Sequence, residues 1–143
     1  MRNFYLTLIL TGIFCGMVIS ANAGDMTIEM LNKKGKEKML YSENIARVDV
    51  GDTITWVPTS KGHNVQFVSV PDGADKVKSK INDEFSLTFE QEGVYLYVCT
   101  PHATMGMIGV VVVGDSDVNL AEVKKYKVRG KSKKKFKQIL KAL

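Results

Sequence analysis

The sequence predicts a mainly β protein, an eight-stranded Greek-key β-sandwich or barrel with two α-helices at its C-terminal end. Three observations predict it. Short apolar runs alternate with a period of two between residues 26 and 113. Turn residues separate those runs at close spacing. Beyond residue 118 the apolar period changes to that of a helix. The chain has 143 residues, 45% of them hydrophobic, with three Pro and two Cys. That composition suits one globular domain, and two thiols exclude a disulfide-dense scaffold or a four-thiolate metal site. The formal charge of +5 is too modest to argue for nucleic acid.

The chain opens on Arg2, an apolar run from Phe4 through Ile19, and then Ala21-Asn22-Ala23 before Gly24. A basic start, an apolar centre and small residues two apart read as a secretory signal peptide, residues 1–23, cleaved after Ala23. A transmembrane anchor is the competing reading; the interruptions by Gly and Ser and the small-residue site favour cleavage. Residues 24–143 would then be one exported domain, with a helical extension over about 117–143. Cys15 leaves with the signal, so Cys99 is the single thiol of the mature chain. In an oxidising compartment a lone thiol is rarely structural; it is either a liability or occupied chemically, for example by a metal.

The first strand is read from Met26, Ile28 and Met30 alternating with Thr27, Glu29 and Leu31. Thr53–Val57, Phe85–Phe89 and Val94–Val98 alternate in the same way, and Val65 and Phe67 share a face of another short run. Ile108–Val113 is almost wholly apolar, the signature of a strand buried on both faces. Asn32–Gly35, Gly51-Asp52, Pro71–Gly73 and Glu92-Gly93 are turn signals between the runs. The spacing suggests an antiparallel arrangement. Asn119-x-x-Glu122 reads as a capping box, with Gly130 as the stop of that helix. Ser132 is a candidate cap for a second helix, in which Phe136, Ile139, Leu140 and Leu143 form one apolar stripe.

Charge divides the mature chain. Residues 24–123 hold 9 basic and 15 acidic residues, whereas residues 124–143 hold 10 basic and none acidic. An anionic partner or surface is one reading of that tail. A helix packed on the sandwich with a solvated lysine face is the plainer one, because the stripe needs burial whatever the lysines do.

The chemistry concentrates in Cys99-Thr100-Pro101-His102-Ala103-Thr104-Met105-Gly106-Met107, a loop between two apolar strands. The other histidine, His63, begins the Val65–Phe67 strand, and a sandwich can bring that strand end beside the loop. A thiolate, two imidazoles and a weak thioether make the donor set of a blue-copper electron-transfer site. The soft thiolate donates charge, imidazole suits both copper oxidation states, and the thioether imposes little geometry. Zinc is the competing metal, but a thioether is a poor zinc ligand. Met107 and Met105 compete for the thioether position.

These residues resemble a known family. Gly51–Pro58, Lys61–Val65, Cys99–His102 and Met105–Met107 are similar to the corresponding motifs of the pseudoazurins, small periplasmic blue-copper proteins of the cupredoxin superfamily. The resemblance covers essentially the whole mature chain, the two C-terminal helices included. It implies one copper ion cycling between Cu(II) and Cu(I), held by His63, Cys99, His102 and Met107, with Met105 near the surface. It implies electron transfer to a denitrification reductase such as a copper nitrite reductase, from a donor such as a cytochrome. Val98 stands where pseudoazurins often carry Lys, and Ala103 where they often carry a larger residue. Both differences bear on the partner more than on the metal.

Around the ligands, Asn64 is placed to tie its strand end to the Cys loop and to aim its backbone N–H at the Cys99 sulfur. Pro101 has no N–H and withholds a donor from the thiolate. Thr100 is a candidate for a hydrogen bond within the loop. Pro58, Met105 and Ala103 are the expected apolar docking patch around the outer edge of His102, with Lys61 on a basic rim. The set leaves no ligand position for a substrate, which predicts a carrier rather than an enzyme; the chain is further expected to be a monomer without stable membrane association. Two other functions compete. A periplasmic copper chaperone or copper-storage protein needs an exchangeable Cu(I) site. A Cys99–His102 hydrolase leaves His63 and Met107 without roles.

Overall fold

The computed structural model describes residues 24–115 and 117–143. The expected signal peptide lies outside the described residues. Eight strands form two four-stranded sheets. The strands are β1 (Asp25–Lys34), β2 (Glu37–Tyr41), β3 (Ile45–Val48), β4 (Thr53–Val57), β5 (Gln66–Ser69), β6 (Phe85–Thr88), β7 (Gly93–Val98) and β8 (Ile108–Val113). One sheet has the order β2-β1-β4-β6 and the other β3-β8-β7-β5. A single turn of 3₁₀-helix, Thr100–His102, lies between β7 and β8. Helices α1 (Leu120–Lys125) and α2 (Ser132–Ala142) close the chain.

The alternating runs become half-buried strands because one face meets the other sheet. Ile54 and Trp56 of β4 point inward, as do Ile28 and Met30 of β1. They meet Tyr95, Tyr97, Val111 and Val113 from the second sheet. Trp56 sits edge-on to Phe67, Phe89 and Tyr97, with ring centroids 5.7, 6.5 and 5.3 Å away. Such edge-to-face pairs add to the stabilisation from burial alone.

Strands β7 and β8 are buried on both faces. Their second face, Val94, Leu96, Val98, Ile108 and Val110, packs against Val123, Phe136 and Ile139 of the two helices. The unbroken apolar run of β8 thus has a cause: helices cover the side that an ordinary sandwich leaves wet. The stripe of α2 is buried against this face, and the helix is tethered to β2 by an ion pair from Lys135 to Glu37 at 2.9 Å.

Several expectations require correction. The sheets are mixed, not purely antiparallel: β1 pairs parallel to β4, and β3 parallel to β8. Strand alternation carries no direction, so the pattern alone does not distinguish the two. Asn32, Lys33 and Lys34 extend β1, and the turn begins only at Gly35. Asn119 does not form a capping box. Its amide spans Val94, accepting from the backbone N–H and donating to the backbone C=O at 2.8 Å each. Helix α1 ends at Lys125, five residues before Gly130. Ser132 does not cap α2, whose N-cap is Lys131. Among the described residues, no helix is long and apolar enough to cross a membrane.

Candidate metal centre

The site is assembled at the end of the sandwich where β7 leaves the core. Cys99 is extended and fully buried, and the next three residues turn at once. Pro101 lies in the first turn of the 3₁₀ segment, where a missing N–H costs nothing. The N–H of His102 bonds back to the Cys99 carbonyl at 3.0 Å, which folds the imidazole over the thiol. The chain then turns again, the Met105 N–H donating to the His102 carbonyl at 2.9 Å. It re-enters the core at Met107, whose carbonyl accepts from the Cys99 N–H at 3.1 Å. Met107 is fully buried in the same core cluster as Cys99, and Met105 is 43% exposed.

His63 arrives from the other side. Asn82, itself at φ 69°, grips the corner before it: its side chain accepts from the Gly62 N–H at 2.6 Å and its N–H donates to the His63 carbonyl at 2.9 Å. Three donor atoms then converge. Nδ1 of His63 and Nδ1 of His102 are 3.2 Å apart, and the Cys99 Sγ lies 3.7 and 3.5 Å from them. A point equidistant from the corners of such a triangle is about 2 Å from each, close to metal–imidazole bond lengths and slightly short of metal–thiolate ones. The donor chemistry and the spacing both fit one transition-metal ion in a trigonal plane.

Asn32 completes the arrangement, and sequence reasoning missed it. Its Oδ1 lies 2.8 Å from Nε2 of His63. An amide oxygen only accepts, so Nε2 carries the proton and Nδ1 presents a lone pair to the centre. Burial, and then the neighbouring His102, hold the His63 imidazole below its ordinary value, which favours the neutral ring that ligation requires. Burial pushes the Cys99 thiol up; the backbone N–H groups of Asn64 and His102 pull it back. A cation beside the sulfur reverses the burial cost and favours the thiolate.

The predicted neighbours fall around this centre. Asn64 is fully buried and makes a two-point link to Thr100: its Oδ1 accepts from the Thr100 N–H at 2.8 Å, and its Nδ2 donates to the Thr100 Oγ1 at 3.1 Å. Thr100 passes the link to Gln66 Oε1 at 3.1 Å. Pro101 is exposed. Lys61 is exposed two residues before His63, and Gly62 faces the His102 ring, with a Cβ there 4.0 Å from its Cε1. Pro58 and Ala103 are half-buried. Val98 is buried beneath the helices and offers no surface. Among the three clustered ligands His102 alone is partly exposed.

Comparison with known proteins agrees with this geometry. Residues 28–114 match the family model of copper-binding proteins of the plastocyanin/azurin family. The chain is 41% identical over 108 residues to the pseudoazurin of Methylorubrum extorquens, covering 74% of this chain and 73% of the relative. The structure of a pseudoazurin from Sinorhizobium meliloti superposes with a TM-score of 0.77 at 42% identity, covering 81% of this chain and 93% of that one. The pseudoazurin structure from Methylobacterium extorquens gives a TM-score of 0.79 at 36% identity, covering 83% and 98%. With its two mixed sheets, its paired C-terminal helices and its converging His, Cys and His donors, the chain belongs to the plastocyanin/azurin family of copper-binding proteins, as a blue-copper electron-transfer protein of the pseudoazurin type.

Proposed function

We propose that the mature chain, residues 24–143 after removal of a signal peptide, is a single periplasmic domain that carries one electron at a time to a denitrification reductase. Its copper ligands are His63, Cys99, His102 and Met107. The observation that carries this reading is the triangle of two imidazole nitrogens and one sulfur, with sides of 3.2–3.7 Å, formed from residues 39 or fewer positions apart on two different strand ends. Copper supplies the Cu(II)/Cu(I) couple when bound.

The protein's own residues do the rest. Asn32 holds the tautomer of His63. Asn64 ties the two ligand-bearing segments together, so that both oxidation states share one geometry and little rearranges when charge changes. Met107 supplies the weak fourth donor from within the core. His102 presents the ring edge nearest solvent. A redox partner docks over that edge on Met105, Pro58 and Ala103, with Lys61 on the rim. A complementary acidic surface is steered by such a rim, which raises the association rate more than the affinity. The reading includes a monomer that receives its electron from a donor such as a cytochrome and is itself no enzyme.

The test is the visible spectrum of the mature protein titrated with Cu(II), beside Cys99→Ser. The expected result is an intense thiolate-to-copper band that ascorbate bleaches, oxidation restores and the variant lacks. A colourless protein that still binds one metal would overturn the carrier reading.

A further inference from the structure

We propose that Ser132, the first residue of α2, is a positioning residue for the metal loop, and that the C-terminal segment 130–132 is the support on which Met107 is set. The proposal rests on the copper reading above for what Met107 does, but not for where Ser132 acts. Between His102 and Met107 the loop belongs to no strand. Its backbone polar groups therefore need partners from elsewhere. The C-terminal segment provides three. The Ser132 hydroxyl donates to the Ala103 carbonyl at 2.6 Å and accepts from the Gly106 N–H at 3.0 Å. The Lys131 N–H donates to the Thr104 carbonyl at 2.8 Å. A hydroxyl can donate and accept at once, and alanine can do neither.

Ser132 is fully buried, so water cannot readily replace it. Both bonds of its hydroxyl go to the loop, on Ala103 and Gly106. Gly130 sits at φ 60°, and a Cβ there would collide with the Thr104 carbonyl oxygen. At Gly130 and Thr104 the two segments approach backbone to backbone. The support is itself anchored. Phe136 and Ile139 of α2 pack against β7 and β8, the strands that deliver Cys99 and receive Met107. Helix and loop are thus fixed to the same two strands. Gly106, the residue held by Ser132, lies between exposed Met105 and buried Met107, so one hydrogen bond bears on both the docking side chain and the thioether that would hold copper.

The experiment compares Ser132→Ala, Ser132→Thr, Gly130→Ala and Arg47→Ala. Arg47→Ala removes the bond from the Arg47 guanidinium to the Ala142 carbonyl, which holds the far end of α2, and serves as the control. Two readouts are taken: amide exchange at Gly106 in the copper-free protein, and the charge-transfer spectrum with the reduction potential in the loaded protein. Ser132→Ala is expected to speed Gly106 exchange at least tenfold. It should also change the ratio of Cu(I) to Cu(II) affinity by up to about tenfold, equivalent to about 59 mV for one electron. Ser132→Thr should restore both readouts, Gly130→Ala should disturb both, and Arg47→Ala should move neither. If Ser132→Ala or Gly130→Ala lowers only the unfolding midpoint, with Gly106 exchange, spectrum and potential unchanged, the proposal is overturned and the contact merely anchors a helix. Faster Gly106 exchange without a change in spectrum or potential overturns the role in setting Met107. Met107→Leu distinguishes the underlying reading: an unchanged spectrum and potential there sinks the assignment of Met107 as a ligand, while the copper-free exchange result still reports on Ser132.

Discussion

The side-chain oxygen of Asn32 lies 2.8 Å from Nε2 of His63, on the side of the ring opposite Cys99. A residue near the end of the first strand therefore decides which nitrogen of a buried histidine carries the proton. Replacing Asn32 by Leu leaves that N–H without its acceptor and frees the ring to take the other tautomer. Loss of such an outer partner costs about 10–100-fold in metal affinity. Competition titration of Cu(II) against a chelator should show at least a tenfold loss in Asn32→Leu, with Asn32→Asp retaining an acceptor and losing less.

The link between Asn64 and Thr100 has unequal halves. Asn64→Ala removes both bonds and leaves a backbone N–H exposed to loss of its partner. Thr100→Ala removes only the hydroxyl, because the backbone N–H still reaches Asn64. Net hydrogen bonds are worth about 1 kcal/mol and unsatisfied buried groups cost about 1–3 kcal/mol. Urea unfolding should therefore show a loss of about 2–4 kcal/mol for Asn64→Ala and about 1 kcal/mol for Thr100→Ala.

Tyr41 makes the fold sensitive to alkali. Its hydroxyl donates to the Asn64 carbonyl at 2.8 Å, and burial, then Cys99 and Tyr97, hold the phenol well above its ordinary value. A raised folded-state value stabilises fully below the unfolded value near 10 and loses that contribution as pH rises above it. Tyr41→Phe should cost about 1–2 kcal/mol at neutral pH. The gap between the two proteins should narrow above pH 10, as read by denaturant unfolding of both across pH 7–11.

Gly109 faces Tyr97 across the β7–β8 pair, and a Cβ there would stand 2.6 Å from the Tyr97 ring and hydroxyl. The ring cannot easily yield, being packed against Tyr41, Trp56 and Phe67. Overpacking of this kind costs about 1–3 kcal/mol. Gly109→Ala should lower the unfolding midpoint accordingly, and an unchanged midpoint would mean that the aromatic cluster is less rigid than its geometry implies.

Lys61 tests the docking surface. Reduction or oxidation of the protein by its partner should slow as ionic strength rises. Lys61→Glu should lower the rate at low salt and flatten that dependence. Stopped-flow kinetics over a salt series would show it, and salt-independent rates would remove the basic rim from the account.

The parts of the centre that could be read from the sequence are local. Cys99, His102 and Met107 fall within one loop, and the turn that brings His102 back over Cys99 is three residues long. The apolar run of β8 and the stripe of α2 were equally visible, because burial writes a periodic pattern. What escaped is polar and distant. Asn32 is 31 positions from His63, and Asn82 is 20 from Gly62. Asn and Ser serve turns, caps and long-range partners with the same atoms. Asn32 thus read as a turn, Asn119 as a cap for α1 and Ser132 as a cap for α2. In the fold they bind His63, Val94 and the metal loop. Strand direction escaped for a related reason, since a period of two is the same read either way.

The hold of residues 130–132 on the loop also orders events in time. The centre draws on Asn32, His63, the Cys99 loop and a support at residues 130–132, which follows all of them in sequence. Chains are synthesised from the N-terminus, so every ligand exists before the piece that holds the loop between His102 and Met107. The parallel joining of β3 to β8 likewise waits for the second half of the molecule. A nascent chain without residues 130–132 carries its donors with the backbone between His102 and Met107 unsupported. The site is thus completed late, when residues 130–132 dock on that loop and fix it.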